Sequence, residues 1–237
     1  MRIFTLPGVF KPRSDSWMLA EQLREQTLPP RASVLDLCTG SGVVALSAAQ
    51  RGARVTAVDV SRRAVWTVAI NARLNGVRVD ARRGSLFAAV GDRRFDAITS
   101  NPPYVPAETD DLPTSGPERA WDAGVDGRAV LDDLCAQAPA HLKPGGFVLI
   151  THSHVCGIDR TLEQLRAGGL DAEVVAKRRG PLGPLLTARV ATLEQRGLLE
   201  PGSREEDVVV IRGRKPHDKA AANGAASGAA EPAASAV

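Results

Sequence analysis

The sequence predicts an α/β domain in which helices cover both faces of a doubly wound, mostly parallel sheet of seven strands. Three observations lead to this fold. Strand-like and helix-like blocks alternate along the chain, a glycine-rich turn at 38–42 follows the first strand, and a carboxylate, Asp59, ends the second. A chain of 237 residues can bury one sizeable core, so one domain over residues 1–213 is expected.

The first half of the chain alternates short apolar strands with helices. The opening helix has Asp15 or Ser16 as its N-cap, and Trp17 shares an apolar face with Leu19 and Leu23. Each of the next two helices stops at a glycine. The helices are expected at 16–27, 43–52 and 62–76, and the strands at 33–37, 53–60, 77–85 and 95–100.

The second half contains a polar loop, an insertion and a tail. The loop runs from 106 to about 122 and contains prolines. The segment 184–199 is helical in period and interrupts the last two strands, so it is expected at one end of the sheet. After Gly213 the chain is rich in Ala, Gly, Pro and Ser, which predicts a disordered tail over 214–237. Helices are expected at 129–142 and 159–169, and strands at 146–153, 172–178 and 207–213.

Composition restricts the class of function. The formal net charge is only +3, so attraction to nucleic acid would have to come from local basic clusters. Cys38, Cys135 and Cys156 have no CxxC spacing, which indicates free thiols in a reducing compartment and no metal site. No stretch approaches the roughly 18 uninterrupted apolar residues of a membrane span, so we expect a cytoplasmic protein without membrane contact.

The turn CTGSG at 38–42 indicates a bound nucleoside. Gly40 and Gly42 allow the backbone to approach a ligand closely, although a plain strand-to-helix turn would use the same glycines. Two carboxylates favour the ligand. Asp36, inside the strand end, can meet an ammonium group, and Asp59 can accept both hydroxyls of a ribose. Together they describe a nucleoside that carries an amino-acid-like cation.

Four segments resemble the motifs of the Rossmann-like, S-adenosylmethionine-dependent class I methyltransferases: DLCTGSG at 36–42, AVD at 57–59, GSLF at 84–87 and NPPY at 101–104. The resemblance implies S-adenosylmethionine as the cofactor. Ser85 stands where the family usually has an acid, so Asp80 is an alternative partner for the adenine amino group. The implied cofactor-binding residues are Asp36, Gly40, Gly42, Asp59, Ser85, Leu86, Ser16 and Asn101.

The NPPY turn fits chemistry on a planar nitrogen. An amide or exocyclic aromatic nitrogen is a poor nucleophile because its lone pair is delocalised, so an enzyme must hold both N–H bonds with fixed acceptors. The Asn101 side-chain oxygen and the Pro102 carbonyl can be those acceptors, since two prolines fix the direction of the carbonyl. Tyr104, the only tyrosine, can pack against the planar group. Asn101, Pro102 and Tyr104 are therefore the predicted catalytic residues.

The stretch VFKPRSDSWMLAEQL distinguishes two groups of enzymes that share NPPY. It is similar to the PRPDTE-type segment of the HemK family of glutamine N5-methyltransferases, with Pro12, Arg13, Asp15 and Ser16 at the matching positions. The resemblance implies a protein substrate, namely the GGQ loop of a peptide-chain release factor. Only residues 1–11 precede the motif, as in the short eukaryotic and archaeal branch, which works with a small zinc-containing activator subunit.

Two other functions stay open. An adenine-N6 methyltransferase acting on RNA or DNA would use a basic rim, for which the candidates are Arg82, Arg83, Arg93, Arg94 and residues 177–179. Short basic runs are more often solvated loop ends, so nucleic acid is the second hypothesis. A cofactor-binding scaffold without catalysis is the third, and the intact NPPY group argues against it.

A few further residues invite a function that we do not assign. His152 and His154 are interpreted as polar loop residues because no carboxylate or cysteine lies at ligand spacing. Trp66 lies in the middle of a helix and is expected to pack, whereas Trp121 can face a substrate. The acidic residues at 108, 110 and 111 are interpreted as a solvated lid.

Overall fold

Seven strands form one sheet in the computed structural model, which describes residues 1–217. The order across the sheet is β3-β2-β1-β4-β5-β7-β6, with β7 antiparallel to both of its neighbours and the other pairs parallel. The predicted seven-stranded, mostly parallel sheet is confirmed. The strands are β1 (Ser33–Leu37), β2 (Arg54–Asp59), β3 (Val79–Arg83), β4 (Phe95–Ser100), β5 (Leu142–Ser153), β6 (Asp171–Pro181) and β7 (Glu205–Arg214).

Helices cover both faces of this sheet, as predicted. On one face Leu19 and Val68 belong to the same buried cluster as Phe147. On the other face Leu131 and Leu165 belong to a second cluster. The helices are α1 (Ser14–Glu25), α2 (Val43–Gln50), α3 (Arg62–Leu74), α4 (Ala129–Gln137), α5 (Ile158–Ala167), α6 (Pro184–Thr187) and α7 (Val190–Gln195).

The strand order reverses at β1. The chain proceeds outward from β1 to β2 and β3, then returns to place β4 on the other side of β1. In open sheets of this kind, the crevice outside the carboxyl ends of the strands at such a reversal is where ligands bind. The topology therefore fixes where the turns after β1, β2 and β4 meet.

The first helix begins earlier than predicted. α1 starts at Ser14 with Arg13 at the N-cap position, so Asp15 and Ser16 lie in its first turn and do not cap it. Leu19 and Leu23 are fully buried, but Trp17 is 36% exposed. Trp66 on α3 is 63% exposed, so its predicted packing role is wrong. Helical spacing places these residues on their helices, but it does not determine how far the neighbouring elements cover them.

Two boundaries in the second half differ from the prediction. The helix expected at 129–142 ends at Gln137, and a 3-10 turn at Ala138–His141 leads into β5, which begins at Leu142. The strand predicted from Gly146 thus begins four residues earlier, and Gly146 lies inside β5, where an added Cβ would approach the Phe95 carbonyl oxygen at 3.1 Å. The pairing of β5 with β4 is irregular here: Phe95 pairs with Leu142 and Ala97 with Phe147, so residues 143–146 form a bulge within the strand. The insertion consists of two short helices, α6 and α7, separated at Ala188 and Arg189.

The predicted tail begins with residues that still belong to the fold. Arg214 ends β7, and the backbone N–H of Lys215 donates to the Gly146 carbonyl at 2.8 Å. The remainder of that predicted segment, 218–237, lies outside the described residues. Within residues 1–217 no helix combines the length and the apolar character needed to cross a membrane.

Candidate active site

A cavity of about 760 Å³ opens at the carboxyl ends of β1, β2 and β4. Its walls come from the N-terminal segment 8–16, the turn after β1, the turn after β4, and the chain at 181–186. Nine of the ten predicted site residues line it, although they come from five separate parts of the chain. Those nine are Ser16, Asp36, Gly40, Asp59, Ser85, Leu86, Asn101, Pro102 and Tyr104.

The two glycines of the turn after β1 have different surroundings. Gly42, with φ +83°, lies behind the cavity, and a Cβ there would come 3.0 Å from Val68 Cγ2. Gly40, with φ +53°, lines the cavity, and a Cβ there would meet no protein atom closer than the Phe10 carbonyl oxygen at 3.9 Å. Both need the left-handed backbone that glycine adopts without strain. Only Gly40 leaves open space where a ligand could approach the backbone.

Asp59 is held by backbone donors at the end of β2. Its two carboxylate oxygens accept the N–H of Gly40 at 3.0 Å and the N–H of Ser61 at 2.8 Å. Burial raises the pKa of this carboxyl, and the two backbone donors oppose the rise. Each oxygen keeps a further lone pair, so the predicted contact with ribose hydroxyls fits this geometry.

Asp36 lies deeper, with 2% of its surface exposed. The hydroxyls of Thr39 and Thr99 each donate to one of its oxygens at 2.6 Å. Burial raises the pKa of Asp36 to about 6, although both hydroxyls favour the charged form. A buried carboxylate whose donors are all neutral would be stabilised by a nearby cation.

The side chain of Asn101 is fixed by the first turn of α1. Its Nδ2 donates to Asp15 Oδ2 at 3.2 Å and to Ser16 Oγ at 3.1 Å. These two acceptors determine which end of the amide is nitrogen, because the opposite orientation would set an amide oxygen against a carboxylate. Within residues 1–217 neither Asn101 Oδ1 nor the Pro102 carbonyl accepts a hydrogen bond, and both residues line the cavity.

Asp15 also fixes Tyr104. The phenol donates to Asp15 Oδ2 at 3.0 Å, and burial together with the Asp15 carboxylate raises the pKa of Tyr104 well above its usual value. The tyrosine therefore stays neutral and keeps donating. Neither the helix-cap pattern nor the PRPDTE-like motif, in which Asp15 stands, predicts this contact. No local sequence pattern could have predicted it, because Asn101 and Tyr104 lie 86 and 89 positions after Asp15 in the chain.

The residues at the adenine end differ in what they offer. Ser85 is exposed and Leu86 half-buried, and both line the cavity. Asp80 does not: its carboxylate binds Arg82 at 2.8 Å, so the alternative adenine contact through Asp80 is wrong.

The proposed basic rim is neutralised in part. Lys177 binds Asp207 at 2.6 Å and Arg179 binds Glu205 at 2.7 Å. Arg82 is bound to Asp80, and Arg178 approaches the Ser14 carbonyl. Arg83, Arg94 and Arg178 form no ion pair within residues 1–217, so the basic charge that remains free is limited to separate side chains.

Three further residues were singled out in the sequence. Trp121 lines the cavity, as expected for a substrate-facing residue. His152 is buried within β5 and is not a loop residue, and burial lowers its pKa to about 4, so it is neutral. His154 accepts the backbone N–H of Asp207 at 3.1 Å. Across residues 1–217 no cluster of histidine, cysteine and carboxylate side chains could hold a metal ion.

Comparisons with known proteins agree on one enzyme class. Residues 1–114 match the family model of the methyltransferase small domain. An archaeal protein of Methanocaldococcus jannaschii, provisionally named a protein N5-glutamine methyltransferase, is 33% identical over 181 residues, which are 76% of this chain and 90% of that protein. The release factor glutamine methyltransferase of Geobacter sulfurreducens is 38% identical over 153 residues, which are 61% of this chain and 53% of the relative. The chain thus spans nearly all of the archaeal relative but about half of the bacterial one.

A solved structure shows the same fold. It is the Mtq2–Trm112 complex of E. cuniculi, described as responsible for the methylation of the eRF1 translation termination factor. A chain of that complex aligns with a TM-score of 0.59 and 22% identity, over 88% of this chain and 99% of that one.

Proposed function

The chain belongs to the HemK-like family of methyltransferases, and from that premise we propose that it methylates the side-chain amide nitrogen of a glutamine in a protein, with S-adenosylmethionine as the methyl donor. The observation that carries the proposal is the orientation of Asn101. Because the side-chain NH2 group of Asn101 donates to Asp15 and Ser16, its oxygen is left to accept a hydrogen bond from a substrate in the cavity. A side-chain amide with two N–H bonds is the complement of that oxygen and the Pro102 carbonyl.

The residues around the turn after β1 fit S-adenosylmethionine. Asp59 would accept the ribose hydroxyls, Asp36 would face the ammonium group, and Ser85 with Leu86 would border the adenine. The open space above Gly40 allows the backbone to approach the ligand. When bound, the cofactor supplies a methyl group on a positively charged sulfur, an electrophile that needs an aligned lone pair.

Asn101 and Pro102 would provide that alignment. Their two oxygens would accept hydrogen bonds from both N–H groups of the substrate amide and so fix its plane, which points the nitrogen lone pair, perpendicular to that plane, at the methyl group. The same oxygens stabilise the positive charge that develops on the nitrogen. A methylated amide cation is strongly acidic, so its proton leaves to water without a strong base. Tyr104, held by Asp15, packs against the acceptor plane.

The charges near the acceptor end support a protein substrate over RNA or DNA. Glu206 lines the cavity near Tyr104, and its carboxylate contributes to the raised pKa of that phenol. Asp15 lies at the same end. A phosphate backbone would be repelled by these two carboxylates, and three basic side chains of the candidate rim, Arg82, Lys177 and Arg179, are bound to carboxylates of their own.

We infer that the protein substrate is a peptide-chain release factor. The Geobacter relative is named for that activity, and the E. cuniculi complex is described as methylating a termination factor. We also propose a small partner subunit, as in that complex. Trp66, Ile70 and Leu74 lie at helical spacing on α3 and are 63%, 40% and 48% exposed, so they offer an apolar face for it.

The test is methyl transfer from labelled S-adenosylmethionine to an extract of cells that lack this protein. One portion of the labelled extract is treated with protease and another with RNase, and the label that remains in each is counted. The proposal expects the label to disappear with protease and to map to a glutamine. Label that disappears with RNase would overturn it in favour of an adenine-modifying enzyme.

A further inference from the structure

The segment 184–199, whose role the sequence does not reveal, is firmly attached to the core. Leu186, Leu193 and Leu199 are buried, with at most 3% of their surface exposed, in the same cluster as the α4 and α5 side chains. At its start, Glu206 Oε1 accepts the N–H of Gly183 at 2.8 Å. The segment is therefore a rigid part of the domain.

Arg189, between α6 and α7, connects the two ends of the loop at 106–122. Its guanidinium donates to the carbonyl of Pro106 at 2.6 Å and lies 2.7 Å from the Asp122 carboxylate. Pro106 begins this loop and Asp122 ends it. The loop follows the NPPY turn directly, so one side chain from the insertion ties both of its ends.

Arg196, just after α7, makes a second tie of the same kind. It donates to the carbonyls of Ala107 at 2.5 Å and Glu108 at 3.1 Å near the start of the loop, and to that of Val125 at 2.9 Å just after its end. The two ends of the loop also pair through their backbones: the N–H of Val105 donates to the Trp121 carbonyl at 2.8 Å. Arg189 and Arg196 therefore hold the two ends of the loop together.

The insertion and this loop form two facing walls of the cavity beyond Tyr104. Leu185 and Pro184 line it from the insertion, and Leu112 and Trp121 line it from the loop. The four side chains named are apolar, and Arg119, the loop's cation in the cavity, acts on Asp59 at the opposite, glycine-turn side. Glu206 also lines the cavity, and within residues 1–217 no lysine or arginine forms an ion pair with it. An acidic side chain entering there would be repelled and desolvated.

We propose that residues 181–199 are the acceptor-selecting wall of the cavity, and that Arg189 and Arg196 are positioning residues that fix the facing loop. The cleft then admits an extended polypeptide without acidic side chains next to the methylated residue. The identity of that residue as glutamine rests on the proposed function, whereas the fixing of the loop does not.

The first experiment measures amide hydrogen exchange in Arg189→Ala, Arg196→Ala and the double variant. The matched control is Arg204→Ala, which removes an ion pair with Glu194 in the same region but no contact to the loop. Each lost charged hydrogen bond should speed exchange at the Val105, Ala107 and Ala123 amides about tenfold. Affinity for S-adenosylmethionine, measured by calorimetry, should stay within about twofold. Unchanged exchange in the double variant would overturn the role of the arginines.

The second experiment compares two peptides with a central Gly-Gly-Gln, one with uncharged flanks and one with aspartates beside the glutamine. The wild type should prefer the first by about tenfold in kcat/KM, and Glu206→Gln should remove most of that preference. The arginine variants should raise KM for the uncharged peptide with little change in kcat. Equal use of both peptides by the wild type would overturn the selectivity.

The outcomes separate the two proposals. If the wild type methylates neither peptide nor any protein in the extract, the proposed function fails, while the exchange measurement still decides the role of the arginines. If Arg189→Ala does not fold, Arg189→Lys keeps the charge but cannot span both the Pro106 carbonyl and the Asp122 carboxylate, and the same exchange result is expected of it.

Discussion

Asn101 donates its side-chain amide to the carboxylate of Asp15, 3.2 Å away, across 86 positions of sequence. The same carboxylate oxygen accepts the Tyr104 phenol at 3.0 Å. One buried acid in the first turn of α1 therefore sets the orientation of two side chains of the NPPY turn. This contact makes the N-terminal segment part of the proposed acceptor site.

Replacing Asp15 with asparagine should release both orientations. An asparagine amide can present its nitrogen to Asn101, which would let the Asn101 amide turn over. We expect kcat to fall by about 10- to 100-fold because the acceptor loses its fixed oxygen. The pKa of Tyr104 should also fall, since the variant removes a charge that raises it, and titration of the phenol absorbance measures this directly. Unchanged kcat with a lowered tyrosine pKa would refute the positioning role of Asp15.

Replacing Asn101 with alanine removes the oxygen itself. Turnover should fall by at least about 100-fold, as when one preorganised polar group is lost from an active site. Affinity for S-adenosylmethionine, measured by calorimetry, should change little. Asn75→Ala is the matched control, because Asn75 binds the Arg2 backbone at the C-terminal end of α3 and does not line the cavity. Near-full activity of Asn101→Ala would show that the NPPY turn has a structural role only.

The affinity for S-adenosylmethionine should depend on pH through Asp36. Burial raises the pKa of this carboxyl to about 6, so the free protein is protonated there in acid. Its contribution to folding stability is full below its ordinary value of 3.8 and is lost as the pH rises through about 6. A bound ammonium group would favour the charged carboxylate, so affinity should rise about tenfold between about pH 5 and 7.

Calorimetry at several pH values measures this dependence, together with the proton released on binding. In Asp36→Asn the dependence should flatten. Asp96→Asn is the control, since Asp96 binds Lys143 away from the cavity and its pKa is lowered. A wild-type affinity that is equal at both pH values would contradict the predicted contact between Asp36 and the ammonium group.

Much of the site could be predicted because it is built from strand ends. β1 and β4 have the predicted bounds, and the carboxyl ends of adjacent parallel strands must meet at one edge, so Asp36, Asp59 and Asn101 were expected together. The contact of Asp15 with Asn101 could not be predicted, since no local pattern links residues so far apart. Trp66 shows a related limit, because sequence period does not reveal which helix face stays uncovered.

Alanine variants of Gly40 and Gly42 should differ in which property they lose, folding stability or affinity for S-adenosylmethionine. Gly42→Ala places a Cβ 3.0 Å from Val68 Cγ2 and forces an alanine into left-handed backbone, so it should destabilise the fold by about 1–3 kcal/mol. Gly40→Ala carries a similar backbone cost of about 1–2 kcal/mol but meets no protein atom. Its added methyl instead occupies the space above the turn, so affinity for S-adenosylmethionine should fall by about tenfold or more.

Gly52→Ala is the common control, because its φ is +81° and no atom lies within 4 Å of the added Cβ. It should show the backbone cost alone, with unchanged affinity. Thermal unfolding and calorimetry on the three variants give both quantities. If Gly40→Ala binds S-adenosylmethionine like Gly52→Ala, the ligand does not lie against this turn, and the assignment of the cavity's glycine side to the cofactor is wrong.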